Sequence, residues 1–477
     1  MVALTSIHDW VGSPGSVVSW SPSADCLEKV RQAPASDVPP SFQQEQHIRA
    51  FREHTADGLE MARLMIPSWT MPGRCDIRAM TYVINAYLRR HDTFHSWFTF
   101  DGSDRVVRHI CDPADIKMVA TKHGEMNSAG WRAQALDVPG PVQWDCFRFG
   151  VIQRADNFTF YASIDHLHAD LMFVVALFIE LNMNYAALVD GGAPMKFPEA
   201  GSYLDYCIRQ RKYTDSLTLG SPEVIDWLDF LKRNGGTLPK FPMPLGDPGV
   251  PYTGELNKVK LLDFRDSERF EAVCASAGAR FIGGAFACAA IAERELTGIT
   301  TYNVITPTTT RSTPAEFQTT GWFTGVVPVS VPVVGKSFAD IAREAQNAFD
   351  AGMNLANVPI ERVLELAESV PGIHKPGPGV PMLSYIDTGL PPLDPVVMRQ
   401  WQEQDCMIYG GVGAANQIGM WVNRGIDGTV ISVGYPDNPV ARDSATRYVE
   451  LMKTVYLRAI EGRADTLSSP RIPRATA

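Results

Sequence analysis

The segment 161–173, YASIDHLHADLMF, holds the side chains of this chain that are best suited to chemistry. His166 and Asp170 have the spacing H-x-x-x-D, which suits a general-base histidine whose loop is supported by a carboxylate. His166, His168 and Asp170 also have the spacing H-x-H-x-D, which suits a metal-binding loop. The two interpretations predict different reactions, so the choice between them largely decides the function.

The metal interpretation lacks ligands. H-x-H-x-D after a strand resembles the motif of the metallo-β-lactamase superfamily, in which the sixth position is usually another histidine, but here that position is Leu171. A catalytic zinc needs about three protein ligands. Of the ten histidines only His374 lies beyond residue 168, in a stretch rich in Gly and Pro. This shortage argues against a metal centre.

The general-base interpretation needs less. A neutral histidine can remove the proton from a hydroxyl as that hydroxyl attacks an activated acyl group, which is worth about 10²–10⁴ in rate. Asp170 would fix the loop by pairing with a buried arginine. A purely structural alternative remains, with His166 as a core histidine and Asp170 as the N-cap of the helix that follows. The spacing alone does not decide between them.

Hydrophobic periodicity predicts the elements that position this loop. The predicted helices are 41–61, 76–90, 171–189, 202–213, 222–233, 266–279, 281–296, 337–353 and 438–460. The predicted strands are 62–70, 96–100, 105–110, 147–154, 158–164, 256–264, 301–307, 326–333, 382–386, 417–422 and 430–435. The strand 158–164 leads into the histidine loop, and the continuously apolar helix 171–189 is predicted to be buried.

The 477 residues divide into two α/β halves of similar layout. We predict an N-terminal lobe over 1–195, a crossover linker over 196–255, a C-terminal lobe over 256–462 and a disordered tail over 463–477. The linker is placed by a segment dense in Gly and Pro at 235–251. A ligand is expected in the cleft between the lobes.

Composition excludes several classes of protein. The net charge is -10 and no dense Lys/Arg cluster is present, which argues against a nucleic-acid partner. The eight cysteines are scattered, as expected for a reduced, cytosolic chain without a thiolate metal site. The N-terminus has no basic region followed by an apolar one, so we expect no signal peptide. The longest apolar run, 171–179, is shorter than the roughly 20 residues of a membrane span, so at most peripheral membrane contact is expected.

Several further stretches resemble one known superfamily. The helix end LRRHDTFHSWF (88–98) and the loop YASIDHLHAD (161–170) resemble the condensation-type, H-x-x-x-D acyltransferases. The resemblance is closer to their mycobacterial polyketide-associated (Pap) members, in the trehalose-glycolipid branch. It covers roughly residues 6–461. The stretches that carry the closer match are HDWVGSPGSVVSW (8–20), GGAFACAAIAERELTG (283–298), TTGWFTGVVPVSVPV (319–333), MWVNRG (420–425) and YPDNP (435–439).

The resemblance implies an α/β fold of two chloramphenicol-acetyltransferase-like lobes with a tunnel at their interface. It also implies that His166 is the catalytic base and that Asp170 supports its loop. The other implied site residues are Arg311 as ionic partner of Asp170, Trp322 and Thr324 lining the cleft from the second half, and Ser384 and Tyr385 on a strand that faces the active site. Trp322 and Ser384 are also candidate oxyanion donors.

The implied reaction moves a long-chain fatty acyl or polyketide acyl group from a thioester to a hydroxyl of trehalose or a trehalose derivative, sulfated or not. The donor partner would be acyl-CoA or a carrier-bound or polyketide-synthase-bound acyl group, and no metal or redox cofactor is required. The product would be a cell-envelope glycolipid. A cytoplasmic protein, at most peripheral at the inner face of the plasma membrane, is expected. An amide-forming condensation enzyme and a non-catalytic lipid-binding homologue are the alternatives.

The sequence departs from the superfamily pattern at three places. Asp165 occupies the first position of H-H-x-x-x-D, Leu171 replaces a common Gly, and the D-F-G-W-G motif of plant relatives is absent. The base and its aspartate remain, so we expect an active site with a reshaped floor beneath His166. His168 is expected to be structural or to line a channel rather than to be catalytic. His91 and His95, at the end of a helix, are expected to be structural.

Overall fold

The structure is a computed structural model that describes residues 4–377, 379, 381–389 and 395–464. Within these residues the strands are β1 Leu4–Ser6, β2 Gly15–Pro22, β3 Ala35–Ser36, β4 Leu64–Pro72, β5 Ser96–Phe100, β6 Val106–Ile110, β7 Met118–Met126, β8 Phe147–Gln153, β9 Asn157–Asp165, β10 Tyr252–Asp263, β11 Thr301–Thr309, β12 Thr324–Pro332, β13 Met382–Asp387, β14 Met407–Gly410, β15 Ala414–Ala415, β16 Gly419–Gly425 and β17 Gly428–Pro436. The predicted tail lies outside the described residues from 465 onward.

The α-helices of the described chain are α1 Ala24–Arg31, α2 Phe42–Ala56, α3 Ile77–Arg90, α4 Ser128–Leu136, α5 Leu171–Val189, α6 Tyr203–Asp215, α7 Pro222–Arg233, α8 Phe264–Ser276, α9 Phe281–Thr297, α10 Pro314–Phe317, α11 Phe338–Gly352, α12 Ile360–Leu366, α13 Pro395–Glu403 and α14 Pro439–Ile460. The predicted linker therefore contains α6, α7 and the start of β10.

The first lobe is built on a seven-stranded sheet in the order β1-β14-β4-β9-β8-β2-β7. Its central strand, β9, is almost wholly buried, and alternate residues from Phe158 to Ile164 contribute to the core beneath α3 and α5. This follows from the period of two in a strand, which sends alternate side chains to opposite faces. The histidine loop therefore begins where a rigid, central strand ends.

Helix α5 is long and apolar enough by itself to cross a membrane, yet more than half of its apolar stretch is buried within the protein. Phe173, Leu177, Phe178 and Leu181 are fully buried in the core that α5 shares with α3. The prediction of a buried helix is confirmed, and the helix gives the loop a firm support on its C-terminal side.

The second lobe is built on another seven-stranded sheet, in the order β12-β11-β13-β16-β17-β10-β15. Helices α8, α9, α11 and α14 contribute to its core. The sheet is mixed, because β13 pairs in parallel with both β11 and β16 while the other long neighbours are antiparallel. Two α/β lobes agree with the predicted fold class, whereas the tunnel between them stays a prediction.

One strand crosses between the lobes. Although β14 comes from the second half of the chain, it lies in the first sheet, parallel to β1 and antiparallel to β4. The prediction that 256–462 belongs wholly to the C-terminal lobe is therefore wrong for 407–410. A four-residue strand has little periodicity of its own, and its pairing is decided by contacts distant in sequence.

Candidate active site

The loop that carries His166 is fixed through its backbone. β9 ends at Asp165, a 3-10 turn covers His166–His168, and α5 begins after Asp170. The N–H of His166 donates to the carbonyl of Arg63 at 2.8 Å. The N–H of Leu167 donates to Oδ1 of Asp165 at 3.0 Å. The catalytic position predicted from sequence therefore sits at a strand-to-helix junction held on both sides.

The His166 ring packs against the indole of Trp322, with ring centroids 4.1 Å apart and planes tilted by 40°. Its Nδ1 is buried and has no hydrogen-bond partner among the described residues, while the residue as a whole is partly exposed. Burial and the nearby His47 lower the pKa of His166 below 6.5, against the opposing effect of its own carbonyl, Asp170 and Asp165. The imidazole is therefore neutral at pH 7 and can accept a proton.

Asp170 serves both of the roles proposed from its position in the sequence. Its Oδ1 accepts from the N–H groups of Met172 and Phe173 at 3.0 and 3.3 Å, as the N-cap of α5. Both carboxylate oxygens also accept from Arg311, at 2.5 and 3.1 Å. Asp170 therefore acts as helix cap and ion-pair partner at once, and Arg311 is the ionic partner that the family resemblance implies.

The Arg311 side chain is fully buried. Besides Asp170 it donates to the carbonyls of Glu316 and Thr319, and its guanidinium lies 4.4 Å from the Phe323 ring centroid. Asp170 also accepts from the N–H of Phe323 at 3.0 Å. Because Arg311 and Phe323 belong to the second lobe, this carboxylate joins the two lobes directly beside His166.

The segment 319–323, which carries Trp322, is anchored at nearly every residue. Thr320 bonds the Tyr87 hydroxyl at 2.6 Å and donates its N–H to Nδ1 of His91 at 3.3 Å. The carbonyl of Trp322 accepts from the Tyr203 hydroxyl at 3.2 Å. The indole is thereby held against His166 by bonds to the first lobe and to α6. Thr324 follows at the start of β12, opposite Thr309, and its contact with substrate stays a prediction.

Two residues that sequence reasoning missed lie beneath His166. Nε2 of His47, from α2, is 2.6 Å from Oδ1 of Asp165, and Arg63 donates to Oδ2 at 2.7 Å. Burial alone would raise the pKa of Asp165, but these two neighbours outweigh it and the pKa is lowered. His47 precedes the loop by more than a hundred residues and belongs to no motif, so no signal in the sequence could have identified it.

His168 is structural, as predicted. Its buried ring lies between the Thr93 hydroxyl at 3.1 Å and the Cys146 sulfur at 3.3 Å, and burial lowers its pKa to about 4. His168, His166 and Asp170 thus point to different partners and do not converge as the metal interpretation requires. Within the described ranges no three His, Cys, Asp or Glu side chains form a group that could hold a metal ion.

His91 and His95 are buried at the end of α3, in the structural positions predicted for them. Nε2 of His91 lies 3.3 Å from Glu180 of α5, and Nε2 of His95 lies 3.2 Å from the carbonyl of Leu88. Burial lowers the pKa of His95.

Tyr385 does not fit the predicted role in substrate binding. Its ring stacks on Phe281 of α9 at 5.6 Å and its hydroxyl donates to Asp387, so the side chain faces the helices of the second lobe. Ser384 faces the opposite side of β13, because neighbours in a strand alternate. It shares that face with Ser432, whose hydroxyl donates to the carbonyl of Leu4 in the first lobe. Ser384 thus faces the lobe interface, and its contact with substrate stays a prediction.

Comparison with known proteins agrees with this geometry. The condensation-domain family matches residues 64–370. The chain is 51% identical over 468 residues to the trehalose-2-sulfate acyltransferase PapA2 of Mycobacterium tuberculosis (strain H37Rv), covering 98% of this chain and 99% of that protein. It is 49% identical over 462 residues to the 2'-acyl-2-O-sulfo-trehalose (hydroxy)phthioceranyltransferase PapA1 of Mycobacterium bovis (strain BCG / Pasteur), covering 97% and 89%.

The solved structure of a PapA2 acyl transferase matches with a TM-score of 0.93 at 50% sequence identity, over 96% of this chain and 100% of that one. The fold and the identity over nearly the whole chain agree, and the resemblance inferred from sequence is confirmed. This chain belongs to the Pap acyltransferases of the condensation-domain family.

Proposed function

We propose that this protein transfers a long-chain fatty acyl or polyketide acyl group from a thioester to a hydroxyl of trehalose or a trehalose derivative, with His166 as the general base. The observation that carries the proposal is a neutral, partly exposed imidazole, held by Trp322 and by a loop clamped between the lobes. The acceptor class is supported by two full-length relatives named for acylating sulfated trehalose.

His166 first accepts the proton of the sugar hydroxyl at Nε2 as the oxygen attacks the thioester carbonyl. The negative charge that develops on the carbonyl oxygen needs a donor, which is worth about 2.7–4 kcal/mol. We assign this role to the indole N–H of Trp322, because the indole packs against His166 with ring centroids 4.1 Å apart. The intermediate then expels the thiolate, which takes the proton back from His166.

The transfer is direct, without an acyl-enzyme intermediate. A covalent route needs an activated nucleophile beside the base. Cys146 lies beside the loop, with its sulfur 3.3 Å from Nε2 of His168, and burial raises the pKa of its thiol well above the usual range. A buried thiol of this kind is inert. Donor and acceptor must therefore be bound together when the ester forms.

The donor is acyl-CoA or an acyl group on a carrier or polyketide synthase, and the chemistry requires no metal or redox cofactor. We place the protein in the cytoplasm, at most peripheral at the inner face of the plasma membrane, because thioester donors of this kind are made there and the product is a cell-envelope glycolipid.

The proposal is tested by incubating the purified protein with palmitoyl-CoA and, separately, trehalose or trehalose 2-sulfate, with ester products read by mass spectrometry and CoA release by a thiol reagent. His166→Ala is expected to abolish the ester. His54→Ala is the matched control, since His54 bonds only the Ala50 carbonyl of its own helix, at 2.8 Å. A sugar ester formed equally by His166→Ala would overturn the assignment of the base, and thiol release without an ester would overturn the acceptor.

A further inference from the structure

Helix α2 places two side chains under the turn that carries His166. The Gln44 side-chain amide donates to the carbonyl of Leu167 at 3.2 Å, and Nε2 of His47 lies 2.6 Å from Asp165. Residues three apart lie on one face of a helix, so α2 holds the residues on both sides of His166. The side chains of His47 and Asp165 are 4% and 0% exposed.

A second route connects His47 with the base. The His47 ring meets the Trp322 indole edge-on, with centroids 5.4 Å apart and planes at 82°. The same indole packs against His166 at 4.1 Å. Trp322 is therefore held between two imidazoles, and a displacement of His47 would remove one contact of the indole and one of the carboxylate that adjoins His166 in the chain.

We propose that His47 is a positioning residue for His166, acting through Asp165 and Trp322. The inference rests on the proposed role of His166 as the base. His47 touches no reacting atom, so its effect is on the orientation and protonation of His166. The charged or titratable groups that face His166 are Asp165 and Asp170 in its own loop, His47 from α2, Arg63 before β4, and Arg311 behind Asp170.

Two substitutions of His47 separate its hydrogen bond to Asp165 from the effect of its imidazole on the pKa of His166. In His47→Gln the side-chain amide can still reach Asp165, but the imidazole is lost. In His47→Asn the amide is one carbon shorter and cannot reach. His54→Gln, in the same helix but bonded only to Ala50, is the matched control. All three proteins are compared with the wild type for kcat, KM and the pH dependence of kcat/KM, using palmitoyl-CoA and trehalose 2-sulfate.

We expect His47→Asn to lower kcat about 10- to 100-fold with little change in KM, because the base is misplaced while the substrate sites remain. We expect His47→Gln to keep more of the rate but to move the acid limb of kcat/KM to higher pH, because His47 lowers the pKa of His166. His54→Gln should match the wild type. The wild type should also show a far-downfield proton resonance from the buried His47–Asp165 bond, absent in both His47 variants.

Wild-type rates and pH profiles in both His47 variants would overturn the proposal, and so would the lack of a downfield resonance in the wild type. A His47→Gln protein that does not fold would identify His47 as a stability residue, which also overturns it. If His166→Ala is inactive while both His47 variants behave as the wild type, the assignment of His166 as the base stands and only the positioning role of His47 is refuted. Activity that survives His166→Ala would instead refute the proposed function.

Discussion

The ion pair between Asp170 and Arg311 is the contact whose removal should have the clearest effect. Arg311→Met keeps a long, unbranched apolar chain in the same space but removes the guanidinium. The Asp170 carboxylate would remain buried, with only the N–H groups of Met172, Phe173 and Phe323 as donors. Breaking one side of a buried pair costs about 3–5 kcal/mol, since the remaining charge is uncompensated.

For a chain of 477 residues the entropy of unfolding is about 1 kcal/mol per kelvin near 60 °C. The expected fall in the melting temperature of Arg311→Met is therefore about 3–5 °C, measured by calorimetry on the transition that includes the first lobe. Acyl transfer should fall by at least about tenfold, because the loop of His166 loses its tie to the second lobe. Asp170→Asn keeps the N-cap acceptor and removes the charge, so combined with Arg311→Met it should recover part of the lost stability.

Arg269→Met is the control, because Arg269 pairs with Asp266 at 3.0 Å on the surface, with 60% of its side chain exposed. Exposed pairs contribute about 0.2–1 kcal/mol, so its melting temperature should change by about 1 °C or less. The reasoning is refuted if Arg311→Met melts within about 1 °C of the control. It is also refuted if the destabilisation of the double variant equals the sum of the two single destabilisations.

Three further outcomes are expected. Because the pKa of His166 is lowered, wild-type kcat/KM should stay high at pH 6.5 and fall only at more acid pH as the ring is protonated, and an acid limb centred above pH 7 would contradict this. Since the pKa of His168 is about 4 when folded against 6.5 when unfolded, the unfolded chain binds more protons between these values. The free energy of unfolding should therefore be highest above pH 6.5 and fall by about 3 kcal/mol toward pH 4. Thermal melting of His168→Asn across this range should show a weaker dependence on pH than melting of the wild type. In Gly321→Ala the new Cβ would lie 2.4 Å from the Tyr203 ring and displace Trp322, so kcat should fall about 10- to 100-fold. Gly102→Ala meets nothing within 4 Å and should retain full activity in the same assay.

The parts of the site that lie in one short stretch could be predicted from the sequence. His166 and Asp170 are four residues apart at a strand-to-helix junction, and the apolar run of α5 marks where the helix begins. Two large aromatic side chains within the first 40 residues indicate that this segment packs onto the body, and Trp10 and Trp20 are 5% and 0% exposed. The position of Arg311 came from the family resemblance alone, because nothing local pairs it with Asp170.

The parts that depend on long-range contact could not be predicted. Strand β7 has the sequence MVATKHGEM and is mostly exposed at the edge of its sheet, so it lacks the alternation that identifies a strand. The pairing of His47 with Asp165 joins residues 118 positions apart. The direction of Tyr385 follows from the register of β13, and a shift of one residue would reverse it.

The strand that crosses between the lobes bears on the order of folding during synthesis. The first sheet lacks the partner of both β1 and β4 until Met407–Gly410 has been made. Domains made by the ribosome usually fold in turn, beginning with the N-terminal one. Here the first sheet stays incomplete, with unpaired strand edges, until almost the whole chain has been synthesised. Truncated products that end before residue 407 would therefore expose two unpaired edges and be prone to aggregation.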